Sequence, residues 1–263
     1  MNTCPKTVFH CRDIEKCYEG APVASGINLD LNTGRLISLV GPSGVGKTTL
    51  FNVLAGVDRP DAGQIFLNGE DITGISGKLS YMMQKDLLFE YRTVLDNVIL
   101  PLLIAGTPKQ KAREYAAAFF ESFGLAGYEK KYPRQLSGGM RQRAALLRTC
   151  LQNTPVILLD EPFSALDALT RRIMQEWFQN ILNTQGTMLT QHTADTPPLS
   201  AVFITHDVEE AIFLSDRVYV LTGKPGRISA VFEVNAPRPR SRDFSLTPEC
   251  AELKRMILRA IEA

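Results

Sequence analysis

This chain of 263 residues lacks an excess of charge of either sign: 29 lysines and arginines balance 28 aspartates and glutamates, leaving a formal net charge of +1 at pH 7. Proteins that hold nucleic acid or anionic lipid by electrostatics carry an excess of basic residues, so this balance argues against both classes. Long hydrophobic runs are also lacking. The best candidate, residues 98–105, contains Pro101 and falls well short of the roughly 20 apolar residues of a membrane-spanning helix. The sequence therefore predicts a soluble protein without a nucleic-acid partner.

Cysteine is scarce and shows no pattern. The five cysteines are irregularly spaced and include no Cys-x-x-Cys pair, which argues against a disulfide framework and against a zinc site. The N-terminal segment carries acidic residues where a secretory signal would have an apolar region. Hydrophobic residues make up 44% of the chain and charged residues 22%, a composition typical of a folded globular protein. A reducing cytosol is the expected compartment.

The clearest motif is GPSGVGKT, which begins at Gly41 and fits the phosphate-binding pattern G-x-x-x-x-G-K-[ST]. An apolar run at residues 36–40 precedes it and a helix-compatible stretch follows, so strand, loop and helix come in the required order. The glycines let successive N–H groups face phosphate oxygens, Lys47 reaches the β- and γ-phosphates, and the Thr48 hydroxyl binds Mg²⁺. A chance glycine-rich turn is the weaker alternative. The predicted nucleotide contacts are Gly41, Pro42, Ser43, Gly44, Val45, Gly46, Lys47, Thr48 and Thr49.

An apolar run that ends in two acids, VILLDE at residues 156–161, complements this loop. A strand of this kind can place Asp160 beside the metal held by Thr48, while Glu161 lies next to the reacting centre and polarises the attacking water. The alternative is a buried strand that merely reaches solvent at its acidic end.

The segment LSGGM offers a second anion site. Ser137 is a suitable cap for a following helix with Met140 and Leu147 on its core face, and the paired glycines Gly138 and Gly139 expose backbone N–H groups. The chain has no second lysine-containing loop to accompany this site, so one explanation is that it completes a phosphate site of another copy. An ordinary capped helix with a flexible entry is the other explanation.

The hydrophobic pattern changes along the chain. Residues 93–151 are mainly helical in pattern, with an apolar stripe between residues 112 and 123, whereas strand-like and helical runs alternate after residue 152. An Asn68-Gly69 dipeptide predicts a tight hairpin near the phosphate loop. Thr247 followed by Pro248 predicts the start of a last helix. Alternation of this kind predicts a largely parallel sheet with helices on its faces.

With these motifs in this order, the sequence resembles the ATP-binding cassette (ABC) family, the motor subunits of membrane transporters, over nearly its whole length. The resemblance implies one α/β P-loop NTPase domain over residues 1–263. Its mainly parallel nucleotide-binding core, with an antiparallel β subdomain, would comprise residues 1–92 and 152–235. Residues 93–151 would form an inserted helical subdomain that carries the LSGGM signature, and residues 236–263 a C-terminal tail and helix.

The resemblance also implies site roles. Glu161 would be the catalytic carboxylate, Gln84 would contact Mg²⁺ and water, and His206 would contact the γ-phosphate. Catalysis would thus involve Glu161, His206, Gln84 and Lys47, and the metal would be held by Thr48, Gln84 and Asp160. Two chains would sandwich two ATP molecules, each between the Lys47 loop of one chain and the segment 137–139 of the other.

Two further nucleotide contacts follow from the resemblance. Asp167 lies in a segment that resembles the family's D-loop. Tyr18, which is 23 residues before Gly41, is placed like the aromatic residue that stacks on adenine, although such a tyrosine is more often an ordinary strand residue.

Within the family, the segments at residues 86–98, 224–228 and 236–240 look like those of nitrate, sulfonate, taurine, bicarbonate and pyrimidine-precursor importers. The expected partners are then a second ATPase subunit, a membrane permease and, indirectly, a substrate-binding protein, with the chain at the cytoplasmic face of the membrane. Glu90 and Tyr91 depart from the Pro-Trp that is more common there. A soluble ABC-type ATPase that works without a permease is the alternative function, and a nucleotide sensor would be expected to lack Glu161 or His206.

The stretch between Glu161 and His206 is longer than the family pattern. Its extra segment, residues 187–200, shows no helical stripe and contains two consecutive prolines, so it is predicted to be a surface loop. His192 and Asp195 are too few to indicate a metal site.

Overall fold

A computed structural model describes residues 6–183 and 198–263. The strands are β1 (Thr7–Tyr18), β2 (Ala21–Asn32), β3 (Leu36–Val40), β4 (Ala62–Leu67), β5 (Glu70–Asp71), β6 (Ser80–Met82), β7 (Val156–Asp160), β8 (Ser200–Ile204), β9 (Arg217–Thr222) and β10 (Arg227–Glu233). The α-helices are α1 (Lys47–Leu54), α2 (Val94–Val98), α3 (Leu100–Ile104), α4 (Lys109–Ala117), α5 (Gly138–Cys150), α6 (Ala168–Asn183), α7 (Val208–Leu214) and α8 (Pro248–Glu262).

The larger sheet has six strands in the order β10-β9-β3-β8-β7-β6. Every neighbouring pair from β9 to β6 is parallel, and β10 is antiparallel to β9. All residues of β3, β7 and β8 are buried, as expected for strands covered on both faces. The predicted α/β fold with a mainly parallel core is therefore confirmed.

The second sheet is antiparallel and has the order β2-β1-β4-β5. The predicted hairpin joins β4 to β5, and Asn68 and Gly69 both adopt the positive φ that its tight turn requires (52° and 85°). Helix α1 packs with this sheet and with the larger sheet in one apolar cluster that includes Ile27, Phe51 and Leu158. The cluster places the start of α1 between the two sheets.

Described segments between residues 93 and 151 contain helices and turns. One expectation there was wrong: the apolar stripe from residue 112 to residue 123 is not a single helix, because α4 ends at Ala117. Beyond it, the amides of Phe119 and Phe120 bond to carbonyls three residues back, which tightens the chain into turns. Phe120 and Phe123 are nevertheless fully buried. The stripe thus predicted burial correctly and the helix boundary incorrectly.

The C-terminal segment begins its last helix as predicted. The Thr247 hydroxyl accepts a hydrogen bond from the Cys250 amide at 3.2 Å, and Pro248 occupies the first turn of α8. Most of the predicted loop at residues 187–200 lies outside the described residues, and its last residue, Ser200, is corrected to the first residue of β8. In the described parts of the chain, none of the helices combines the length and the apolar character needed to cross a membrane.

Candidate nucleotide site

Three buried strands of the larger sheet end at the same edge, because β3, β7 and β8 are parallel and are paired in register. Gly41 follows β3, Glu161 follows β7, and Thr205 and His206 follow β8. Ligand sites of open α/β sheets form at the carboxyl ends of such strands. The topology therefore brings the phosphate loop, the acidic pair and the histidine to one place.

The phosphate loop wraps closely against its neighbours. A Cβ atom on Gly41 would lie 2.1 Å from the carbonyl oxygen of Leu221, and Gly46 has a φ of 103°, so side chains are disfavoured at both positions. Lys47 is buried, and its Nζ donates to the carbonyl oxygens of Gly41 and Pro42 at 2.8 and 2.9 Å. Burial lowers the pKa of Lys47, and the nearby carboxylates oppose this shift. The Lys47 ammonium is thus held in place by the carbonyl oxygens at the start of the phosphate loop.

Thr48 and Asp160 meet at the base of the loop. The Thr48 hydroxyl donates to Oδ2 of Asp160 at 2.9 Å, and Asp160 is almost fully buried. Burial raises the pKa of Asp160, as does the Glu161 charge, while the Thr48 hydrogen bond and the Lys47 charge lower it. A hydroxyl and a carboxylate are the oxygen donors that Mg²⁺ prefers, so this pair fits the expected metal.

Glu161 lies between two other predicted catalytic residues. Nε2 of Gln84 is 3.3 Å from Oε2 of Glu161, and Nδ1 of His206 is 3.4 Å from Oε1. Glu161 has a positive φ of 50°, and its amide donates to the Ile204 carbonyl of the neighbouring strand. This backbone bond fixes the direction in which the carboxylate leaves β7. Sequence reasoning predicted all three side chains, and the structure brings them together.

Tyr18 lies at the end of β1 with 42% of its surface exposed. Its hydroxyl donates to Oδ2 of Asp58 at 2.6 Å, and Nζ of Lys16 is 5.1 Å from the ring centre. The Asp58 hydrogen bond, with a contribution from burial, raises the pKa of Tyr18 to about 12. The Thr49 side chain, in the first turn of α1, opposes this shift. Stacking on adenine stays a prediction.

The signature segment forms a capped helix start. The Ser137 hydroxyl accepts from the Met140 amide at 3.3 Å, as predicted, and both Ser137 and Gly138 are exposed. Gly139 instead packs against the segment after β7, since a Cβ there would lie 3.0 Å from Cδ2 of Leu166. Within residues 6–183 and 198–263, segment 137–139 makes no hydrogen bond to the phosphate loop of its own chain. Asp167 accepts from the Thr170 amide and so caps α6.

Sequence reasoning missed Gln142. This side chain is buried in α5; its Nε2 donates to the Glu161 carbonyl at 2.9 Å and its Oε1 accepts from the Ala165 amide at 3.0 Å. It therefore joins the helix α5 to the backbone of Glu161, the predicted catalytic carboxylate. A buried glutamine cannot be told from an exposed one by pattern, so the sequence held no signal for this contact.

Sequence reasoning also missed an ion-pair cluster on α5. Nε and Nη2 of Arg141 lie 2.9 and 3.3 Å from the two carboxylate oxygens of Asp86, and Nη2 is also 3.0 Å from Oε1 of Glu90. Two turns later, Arg148 donates to the carbonyl oxygens of Asp86 and Leu87 at 2.6 and 2.9 Å. Burial alone would raise the pKa of Asp86, but hydrogen bonds and the two arginine charges bring it below its usual value. We call this cluster the arginine clamp.

Comparisons with known proteins agree with this geometry. A family model described as ABC transporter matches residues 24–164. The chain is 38% identical to the aliphatic sulfonates import ATP-binding protein of Bacillus cereus, over 91% of this chain and 88% of that protein. It is 36% identical to the formylaminopyrimidine import ATP-binding protein of Halalkalibacterium halodurans, over 98% and 96% of the two chains.

A solved structure supports the same assignment. It is a dimeric post-hydrolysis state of an ATP-binding cassette bound to ADP and phosphate, and it matches with a TM-score of 0.74 and 25% identity over 87% of this chain and all of the other. An uncharacterized ABC transporter ATP-binding protein of Methanocaldococcus jannaschii is 39% identical over 90% of this chain and 83% of its own length. The chain therefore belongs to the ABC transporter family, as an ATP-binding and ATP-hydrolysing subunit.

Proposed function

We propose that this chain is the motor subunit of an ABC importer, coupling ATP binding and hydrolysis in a homodimer to the entry of a small solute through a separate permease. Relatives whose names specify sulfonate and formylaminopyrimidine import support this solute class. The subunit would lie at the cytoplasmic face of the membrane, and a substrate-binding protein would act with the permease. Residues 93–151 would move as the helical subdomain against the core of residues 1–92 and 152–235, followed by the tail of residues 236–263.

One observation carries the hydrolytic part of the proposal: Glu161 lies within 3.4 Å of both Gln84 and His206. It also directly follows Asp160, which is hydrogen-bonded to Thr48 and forms with it the predicted metal site. The Glu161 carboxylate would accept a proton from the attacking water, with Gln84 orienting that water. Lys47 and His206 would donate to the γ-phosphate as charge develops on it. Mg²⁺, held by Thr48, Asp160 and Gln84, would supply charge neutralisation at the β- and γ-phosphates.

The shared-site part of the proposal is supported by the exposed signature segment. Ser137 and Gly138 point to solvent, where a second copy could present a phosphate to the helix N-terminus. The dimeric state of the solved cassette is consistent with such an arrangement. Asp167, next to this surface in the segment that Gly139 contacts, would face the same second copy.

A permease surface is supported by an apolar patch beside the arginine clamp. Leu87, Phe89 and Tyr91 are 53%, 44% and 73% exposed, which is unusual for three large apolar side chains so close together. We call them the docking patch. Next to it, Tyr91 lines a cavity of about 350 Å³ with Thr93 and Tyr132. A soluble ABC-type ATPase has no need of such a patch, so the importer is favoured.

Mixed dimers test the shared sites. Lys47→Ala and Ser137→Arg chains should each hydrolyse ATP poorly alone, whereas an equimolar mixture should recover up to about a quarter of wild-type phosphate release, because half of the dimers are mixed and each mixed dimer holds one intact site. Absence of recovery in every mixture would contradict the shared sites.

Membrane association tests the permease surface. Leu87→Glu combined with Tyr91→Glu should release the subunit from membranes that contain its permease while leaving its basal ATPase unchanged. Val231→Glu is the matched control, because Val231 is 47% exposed on β10, away from the docking patch and from the shared site in sequence. Equal retention of the patch variant and the control would refute this surface.

A further inference from the structure

A buried carboxylate lies behind the histidine turn and has no part in the chemistry described above. Glu210 is in α7, four residues after His206, and is only 8% exposed. Its Oε2 accepts from the Thr205 hydroxyl at 2.5 Å and its Oε1 accepts from Nε2 of Gln175 at 2.7 Å. Both carboxylate oxygens of Glu210 thus accept hydrogen bonds from other side chains of the chain.

Helix capping does not account for this burial. Asp207 already caps α7 by accepting from the amides of Glu209 and Glu210. Glu209, the neighbour of Glu210, gains the same favourable interaction with the helix N-terminus while exposed and paired with Lys254. Burying a carboxylate costs free energy that an exposed one does not incur. A role in fixing the positions of Thr205 and Gln175, its two hydrogen-bond donors, would account for this cost.

Thr205 connects this carboxylate to the histidine. Its hydroxyl donates to Glu210 and accepts from the Asp207 amide at 3.0 Å, so the two bonds bracket His206 in the turn 205–207. The His206 side chain is itself 64% exposed and reaches Glu161 at 3.4 Å. The placement of the imidazole therefore depends on how this turn is held.

The other side of Glu210 faces α6. Gln175 and Arg171 lie one turn apart on that helix, and the Arg171 charge acts on the Glu210 carboxylate. Nη2 of Arg171 also donates to the Leu166 carbonyl at 3.1 Å, in the segment just before Asp167. Glu210 thus joins the helix that follows Asp167 to the turn that carries His206.

We propose that Glu210 is a positioning residue for ATP hydrolysis: through Thr205 and Gln175 it holds the turn 205–207 against α6 and so sets the distance between His206 and Glu161. The inference rests on the role proposed for His206. It also gives a route by which movement of the Asp167 segment, where a second copy would bind, reaches the histidine of the same chain.

Two pairs of substitutions test this role. Thr205→Val keeps the shape of the side chain and removes the hydroxyl, whereas Thr205→Ser keeps the hydroxyl. Glu210→Ala removes both acceptors. Glu210→Gln keeps an oxygen that accepts from Thr205, and its amide nitrogen can donate to the Gln175 oxygen once the amide of Gln175 rotates. Glu209→Gln is the matched control. The measurements are kcat and KM for phosphate release, with thermal melting to establish folding.

We expect Thr205→Val and Glu210→Ala to lower kcat at least about fivefold with KM changed less than about twofold, because the loss is confined to the transition state. Thr205→Ser and Glu210→Gln should recover most of kcat, and Glu209→Gln should match wild type. In a His206→Ala background, Thr205→Val should cause no further loss. A folded Thr205→Val subunit with wild-type kcat would overturn the inference while leaving the role of His206 intact. A His206→Ala subunit with wild-type kcat would overturn both.

Discussion

The arginine clamp makes a measurable prediction about how firmly the signature helix is joined to the docking patch. Arg141 and Asp86 form a two-bond pair, at 2.9 and 3.3 Å, with side chains 29% and 24% exposed. Hydrogen bonds to charged groups contribute about 1.5–3 kcal/mol when buried, whereas exposed ion pairs contribute about 0.2–1 kcal/mol. For this intermediate exposure we expect a coupling energy of about 1–2 kcal/mol.

A double-mutant cycle measures that coupling directly. Urea unfolding would be followed for wild type, Asp86→Asn, Arg141→Gln and the double variant, all of which keep polar side chains at both positions. Lys78 and Glu70 serve as the control pair, since their charged atoms are 3.5 Å apart and their side chains are 41% and 69% exposed. The control cycle should give less than about 0.5 kcal/mol. A clamp coupling no larger than the control would refute the idea that this pair joins α5 to the docking patch.

Three further predictions concern other parts of the molecule. Arg240→Met should lower the free energy of unfolding by about 3 kcal/mol, because buried Arg240 donates to five backbone carbonyls, including those of Ile212 and Ser215 at the end of α7. Urea unfolding measures this loss, with Arg259→Met, at an exposed position, as the control. Gln142→Leu should leave ATP affinity within about twofold but lower kcat about tenfold, since it removes the bond that joins α5 to the Glu161 carbonyl and leaves that carbonyl bonded to Ser164; an unchanged kcat in a folded variant would contradict that link. Deleting residues 188–196 should change stability by about 1 kcal/mol or less and leave basal turnover close to wild type, because loop closure depends weakly on length. Loss of turnover in a deletion variant that melts normally would show that the segment positions the strand before His206.

Local spacing explains what could be predicted about the site. The phosphate loop, the acidic pair and the histidine each follow a short apolar run, and parallel strands place their carboxyl ends at one edge. Spacing alone predicted that Asp160 lies beside Thr48, and it does. The family resemblance implied that Glu161, Gln84 and His206 act together, and the structure brings these side chains to one place. The roles assigned to them rest on the proposed function.

Buried polar contacts explain what could not be predicted. Gln142, Glu210 and Arg240 are each less than a tenth exposed and make their bonds to segments distant in sequence. Polar side chains of this kind are expected at the surface, so neither the helical pattern around Gln142 and Glu210 nor the irregular segment around Arg240 indicates that they are buried. The end of α4 was missed for a different reason. Periodicity reports which residues are buried, and a turn with i→i−3 bonds can bury Phe120 as well as a helix does.

The most direct test of the account is the behaviour of Glu161→Gln with ATP. The substitution keeps size and polarity but removes the group that accepts the proton from water, so phosphate release should fall by at least about a hundredfold while ATP binding persists. Light scattering should then show an ATP-dependent dimer that accumulates in the variant and dissociates in wild type as ATP is consumed. Turnover within a few-fold of wild type, or a variant that binds ATP and stays monomeric, would contradict hydrolysis by Glu161 in a shared site.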